Sequence, residues 1–271
     1  MTYFLAHLTI IFCFMVVIFL IATCKRNNGL VDIGWGAGFV VVSVMSFLFL
    51  RDKQIAIFST QSLITTFVFL WGTRLSVYLF IRNWGKAEDW RYAKWREEWG
   101  KWVVLRSFFQ VFMLQGGLMF VVLLPVVLAN QHAETPLLTG ISSFALVLIG
   151  TALWLIGFYF QAVGDYQLMQ FKKDSANKGK IMRYGLWAYT RHPNYFGEAT
   201  MWWGIFLIAL TSYTSFLDIV VAIVGPLTIQ YLLLKVSGVV MLESKYKENV
   251  EYKDYQENTA AFFPNLMKII N

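Results

Sequence analysis

The 271-residue sequence predicts an all-α fold, a polytopic membrane bundle of about seven transmembrane helices. Three observations carry that expectation. The chain is 58% hydrophobic. Only 14% of its residues are charged, against about a quarter in soluble domains. The apolar residues fall in long runs, and the lysines and arginines fall in the loops between them. Aromatic residues reach 18%, which suits interfacial belts and a lipid-like ligand. The formal charge of +7 sits in those loops, where orientation and anionic membrane lipid account for it without nucleic acid.

Seven segments can span a membrane: 4–24, 30–50, 61–81, 107–129, 140–163, 196–212 and 216–239. The first five are each long enough to cross a hydrocarbon core of about 30 Å. The sixth is short and bounded by polar motifs, so it is expected to be tilted or partly interfacial. The first has no basic stretch ahead of it and no small-residue cleavage site, and reads as an anchor rather than a signal peptide. Cys13 and Cys24 both lie in it, roughly 16 Å apart along a helix and too far for a disulfide. His7, His132 and His192 are scattered, which argues against a di-iron centre.

Orientation follows from the basic residues. Lys25 and Arg26 follow the first segment. Arg82, Lys86, Arg91, Lys94, Arg96, Lys101 and Arg106 follow the third. Lys172, Lys173, Lys178, Lys180, Arg183 and Arg191 follow the fifth, and Lys245, Lys247, Lys253 and Lys268 lie in the tail. With seven spans all of these face one side, expected to be the cytosol together with the C-terminus. Arg51 and Lys53 are the exception, offset only by Asp52. A bacterial inner membrane is preferred over the endoplasmic reticulum. Within 83–102, Tyr92, Trp95, Trp99 and Trp102 recur at helical spacing among charged residues. This predicts an amphipathic interfacial helix, either an anchor or a gate. No internal repeat or soluble domain is visible, so residues 1–271 read as one membrane domain. The tail from about 243 is polar and partly helical, returning to apolar character at Ala261–Pro264.

The stretch from Gly185 to Glu198 is the richest in chemistry. Arg191 and His192 offer donors. Pro193 and Asn194 suit a helix start, with asparagine as the cap. Helix N-termini bind anions through free N–H groups. Glu198 follows Asn194 by one helical turn, on the same face. A carboxylate entering a membrane helix is costly unless something polar pairs with it. A solvated loop with a snorkelling charge is the plainer alternative. Arg74, inside an apolar span, is a functional candidate by the same logic.

The Gly185–Glu198 run resembles the C-terminal domain of the steroid 5-alpha-reductase family, in particular its bacterial branch of unassigned membrane proteins (DUF1295-type). The segment from Trp84 to Arg96 and the Leu233–Gly238 ending resemble the same branch. The resemblance covers roughly residues 20–265, with cofactor motifs mainly in 160–265. It implies a seven-helix membrane reductase that uses NADPH. Asn194 and Glu198 stand where the family holds the nicotinamide half. Asp165 matches a cofactor-contacting aspartate. Lys172 and Lys180 replace arginines near the phosphates. Arg74 aligns with a membrane-embedded arginine, and Arg82 lies near a second. Tyr255 matches a tail tyrosine that closes over the nucleotide. Arg191 and His192 belong to the same cofactor set. NADPH carries several negative charges and calls for such cations.

One departure concerns the substrate. Steroid-reducing members carry a tyrosine three residues before that arginine and a glutamate in the second helix, which together polarise a ketone. Here Trp71 takes the tyrosine's place. Asp32 stands near the glutamate's position, as general acid or as helix cap. The expected activity is NADPH-dependent reduction of a conjugated C=C, an enone, in a lipid-soluble small molecule. S-adenosylmethionine-dependent membrane methyltransferases of isoprenylcysteine or phospholipids share an Arg-His-Pro-x-Tyr run. They usually place two adjacent glutamates on a later helix, where this chain has Glu243 followed by Ser244, and they are commonly shorter. They rank second. A non-enzymatic protein with a vestigial nucleotide site ranks third.

Overall fold

A computed structural model describes residues 2–49, 59–83, 85–131 and 136–265. Arg51, Asp52, Lys53, Trp84, His132 and Lys268 lie outside these described residues. Among the described residues all regular structure is helical. Six helices are long and apolar enough to cross a membrane: Tyr3–Lys25, Leu30–Leu48, Thr60–Asn83, Trp90–Val122, Ile141–Lys173 and Phe216–Tyr246. The chain is an integral, multi-pass, all-α membrane protein. The predicted segment at 196–212 is the helix Pro193–Ala209, at 17 residues the short one that its polar flanks foretold.

The chain divides into two compact units, 1–140 with 209–225, and 141–208 with 226–271. In the first unit, α1 (Thr2–Lys25), α2 (Leu30–Leu48) and α3 (Thr60–Asn83) are followed by α4 (Trp90–Trp99). Next come α5 (Val103–Ser107), a π-helical stretch Phe108–Met113, α6 (Leu114–Val122) and α7 (Leu124–Gln131). Helices α2 and α3 touch backbone to backbone. A Cβ on Gly36 would lie 2.5 Å from the Gly72 carbonyl oxygen, and one on Gly72 would lie 2.6 Å from that of Gly36. Lipid offers little hydrophobic drive between helices, so small residues that allow close approach supply the attraction. Beside this contact Trp71 is 1% exposed and meets Phe39 edge to face at 5.2 Å.

The end of α1 is a strained cap. Arg26 N–H donates to Thr23 O at 3.1 Å and Asn27 N–H to Ala22 O at 2.9 Å, the two bonds that close a helix through a left-handed residue. That residue is normally glycine. Here Arg26 has φ +50, at a cost of roughly 1–2 kcal/mol for a residue with a Cβ. Cys13 and Cys24 are both free thiols on the exposed face of this helix. At the other end of the unit, α10 (Phe216–Ala222) opens with a capping box in which Asp218 N–H donates to Ser215 Oγ and Ser215 N–H to Asp218.

The second unit is built on α8 (Ile141–Lys173) and α9 (Pro193–Ala209). Gly150, Gly157 and Gly164 recur every seven residues on α8, and Gly197 and Gly204 do so on α9. A Cβ on Gly157 would lie 2.5 Å from the Gly197 carbonyl oxygen, and one on Gly150 2.7 Å from that of Gly204. The chain continues through α11 (Val224–Tyr231), a π-helical stretch Leu232–Val236, α12 (Val239–Glu243) and α13 (Val250–Asn258).

Candidate functional site

Pro193 is the first residue of α9, the position where its fixed φ is favourable and its missing N–H is harmless. Asn194 therefore lies inside the helix rather than capping it. Its side chain turns to α8, where Nδ2 donates to Asp165 Oδ1 at 3.1 Å. One turn further, Gln161 Nε2 donates to Glu198 Oε2 at 2.9 Å. Residues 161 and 165 are four apart on α8, and 194 and 198 four apart on α9, so the helical repeat stacks two polar rungs between antiparallel helices. Gln161, Asp165 and Glu198 are 2%, 4% and 8% exposed. Gln161 was not foreseen; the signal for it was a lone glutamine one turn before Asp165 in an apolar run.

Arg191 and His192 have a different environment. The Arg191 guanidinium forks onto Glu243, Nε to Oε1 at 2.9 Å and Nη2 to Oε2 at 3.2 Å. His192 Nε2 lies 3.0 Å from Glu243 Oε1, and Gln256 Nε2 donates to Oε2 at 2.8 Å. Arg191 Nη1 donates to the main-chain oxygens of Gln256 and Thr259. This cluster binds the tail to the loop. Tyr255 is 4% exposed and donates its hydroxyl to Trp187 O, and burial raises its pKa above the ordinary phenol range. Arg183 Nη1 reaches Asp254 Oδ2 at 2.8 Å and its guanidinium lies over the Tyr255 ring at 5.6 Å. Lys172, at the end of α8, and Lys180, in the following loop, are exposed.

The remaining candidates lie in the first unit. Arg74 and Arg82 flank Tyr78 one turn away on each side, with guanidiniums 5.2 and 5.5 Å from its ring centre. Asp32 sits in the first turn of α2, whose cap is Gly29, so it is not the helix cap. Its Oδ2 accepts from Arg91 Nη2 at 3.0 Å and its Oδ1 from the Tyr92 hydroxyl at 2.8 Å. Gln115 Nε2 donates to the Tyr92 oxygen at 3.4 Å. Both carboxylate oxygens of Asp32 thus accept a hydrogen bond, one from a guanidinium and one from a phenol. The predicted amphipathic helix is α4, with Lys94, Glu97 and Glu98 exposed and Tyr92 buried. Asp32 and Glu88 hold it down, the latter through a fork from Arg96 with both distances 2.8 Å.

A family model described as "Protein of unknown function (DUF1295)" matches residues 18–259, and the chain belongs to that family. Shorter stretches are similar to curated proteins named 3-oxo-5-alpha-steroid 4-dehydrogenase 1. That of Bos taurus is 42% identical over 57 residues, 21% of this chain and 22% of the relative. Those of Mus musculus and Rattus norvegicus are each 40% identical over 60 residues, 22% of this chain and 24% and 23% of the relatives. The match therefore spans less than a quarter of the length of these relatives. No solved structure matches the chain.

Proposed function

We propose that this member of the DUF1295 family is a membrane-embedded reductase that uses NADPH to reduce a conjugated C=C in a lipid-soluble substrate, steroid-like or other. The observation that carries this is the pair of buried rungs, Gln161–Glu198 and Asp165–Asn194. Glycine contacts already hold α8 to α9. Two carboxylates among apolar helices are not required for that packing and are costly there. Their chemistry fits a nicotinamide carboxamide, which needs carboxylate acceptors for its two N–H groups and an amide donor for its oxygen. The exposed Lys172 and Lys180 supply charge for phosphates. Arg191 and His192 position the mouth through Glu243, and Tyr255 does so through the Trp187 carbonyl. Arg74 and Arg82 enter the set through the family pattern alone.

Bound, NADPH supplies a hydride. The chain's own tasks are to orient the ring, exclude water and deliver a proton to the reduced substrate. We assign the proton to the Asp32–Tyr92 pair, in which the carboxylate holds the phenol that Trp71 does not provide. The substrate enters from the bilayer. With Trp71 in the tyrosine's place, 3-oxo-Δ4 steroids are expected to be poorer substrates than other enone lipids. The C-terminus and the 172–192 loop face the cytosol of a bacterial inner membrane. A Ser175→Cys variant checks this, since a membrane-impermeant thiol reagent should label it only from the cytosolic side.

Equilibrium binding to the purified full chain is the main test. NADPH should bind, and Glu198→Ala should weaken it. Micromolar affinity for S-adenosylmethionine with no detectable NADPH binding would replace the reductase with a methyltransferase.

A further inference from the structure

A cavity of about 360 Å³ lies in the first unit where the apolar span of α1 ends. Its lining includes Arg26, Asn28, Arg96 and Ser107 on the polar side and Val103 and Val104 on the apolar side. None of these residues belongs to the cofactor or proton machinery proposed above.

The polar side donates. Arg26 is exposed, and its guanidinium makes no hydrogen bond or ion pair with another described residue. Arg96 spends Nε and Nη2 on Glu88, which leaves Nη1 available. Glu88 also accepts the Asn28 N–H at 2.6 Å, so its carboxylate is occupied from three directions. Ser107, 2% exposed, accepts from Asn28 Nδ2 at 2.8 Å and keeps its own hydroxyl proton to give. Two guanidiniums against one saturated carboxylate leave the cavity with net positive charge. The strained backbone of Arg26 adds to this: the chain places a guanidinium where glycine would sit without strain.

We propose that this cavity binds a phosphate group, most directly that of an anionic phospholipid whose acyl chains run along Val103 and Val104. Arginine forks and hydroxyls are the donors that phosphate oxygens select. The position at the end of a membrane helix, among basic residues, is where such headgroups reside.

The test uses the full chain, delipidated in detergent. Dioleoylphosphatidylglycerol, dioleoylphosphatidylcholine and sodium phosphate are titrated separately, with bound ligand counted by native mass spectrometry. Arg26→Gly removes the guanidinium and relieves the left-handed strain together. It should raise the thermal midpoint while weakening phosphatidylglycerol binding about tenfold, the worth of one charge-assisted contact. Ser107→Ala should weaken it to a smaller extent, and phosphatidylcholine, whose choline opposes the arginines, should bind less well than phosphatidylglycerol. Arg26-dependent retention of phosphatidylglycerol assigns a lipid headgroup. Arg26-dependent binding of sodium phosphate without lipid retention assigns the free anion. Equal binding of both ligands by the wild type, Arg26→Gly and Ser107→Ala overturns the site.

Discussion

The pairs α2/α3 and α8/α9 both bring backbones together through glycine, yet only the second runs carboxylates and amides along its seam. At Gly36–Gly72 the neighbours are Trp71, Phe39 and Ser76, whose hydroxyl donates to Ile33 O at 2.9 Å. At Gly157–Gly197 the neighbours are Gln161, Asp165, Asn194 and Glu198. The first pair is joined by close approach and one hydroxyl-to-carbonyl hydrogen bond, with no carboxylate at the glycine contact. The carboxylates of the second pair exceed what the first pair uses, which is why they are proposed to hold a polar ligand.

The largest expected effect falls on what the two pairs share. Gly157→Val and Gly36→Val each put a side chain within 2.5 Å of a facing carbonyl oxygen. Each should lose at least about 3 kcal/mol of stability, the upper range for overpacking, because backbone cannot move aside as a flexible side chain can. Size-exclusion chromatography and thermal unfolding in detergent would register this. A well-folded Gly157→Val would mean that the rungs, not the glycines, join α8 to α9.

The next effect is kinetic. Asp32→Asn and Tyr92→Phe should each cut turnover by about 100-fold or more, the usual worth of a general acid, with NADPH affinity unchanged. Steady-state assays over a panel of enone lipids would measure it. Undiminished turnover would reduce the Asp32 cluster to a tether for α4.

Smaller is the loss in Glu198→Ala. Taking the Glu198 acceptor away from the cofactor should cost about 1–3 kcal/mol of NADPH binding while the fold survives on its glycines. A dissociation constant equal to the wild type would return the second pair to the status of the first.

The smallest concerns the tail. Arg191→Lys keeps the charge but loses the fork onto Glu243, so α13 should release transiently and trypsin should cleave at Lys253 a few times faster, about 1 kcal/mol of docking energy. Limited proteolysis would report it.

Much of this was legible in the sequence because it is local. Apolar runs gave the spans, and helical spacing of Tyr92, Trp95 and Trp99 gave α4. The turn from Asn194 to Glu198 gave one side of the rungs. Partners distant in sequence were not legible. Glu243 meets Arg191 across 52 positions, and the glutamate-then-serine pattern that singled it out did not point to that partner. Tyr92 looked like part of an interfacial anchor or a gate because its helix is amphipathic, and its hydroxyl reaches back 60 positions to Asp32. Tyr78, one helical turn from each of Arg74 and Arg82, was not foreseen.

The tail is gripped largely by its main chain. Arg191 Nη1 takes the carbonyls of Gln256 and Thr259, Arg191 N–H that of Ala260 at 2.9 Å, and the Thr190 hydroxyl that of Phe262 at 2.9 Å. Carbonyls are the same whatever residue bears them. Apart from Gln256, whose amide also donates to Glu243, and the buried Thr259 and Phe262, the amino-acid identities between 256 and 262 are thus nearly invisible to the grip, and substitutions there can drift without unfastening it. An alanine scan that leaves the tail protease-resistant at those positions, beside an Arg191 variant that does not, would separate the fastener from the strap.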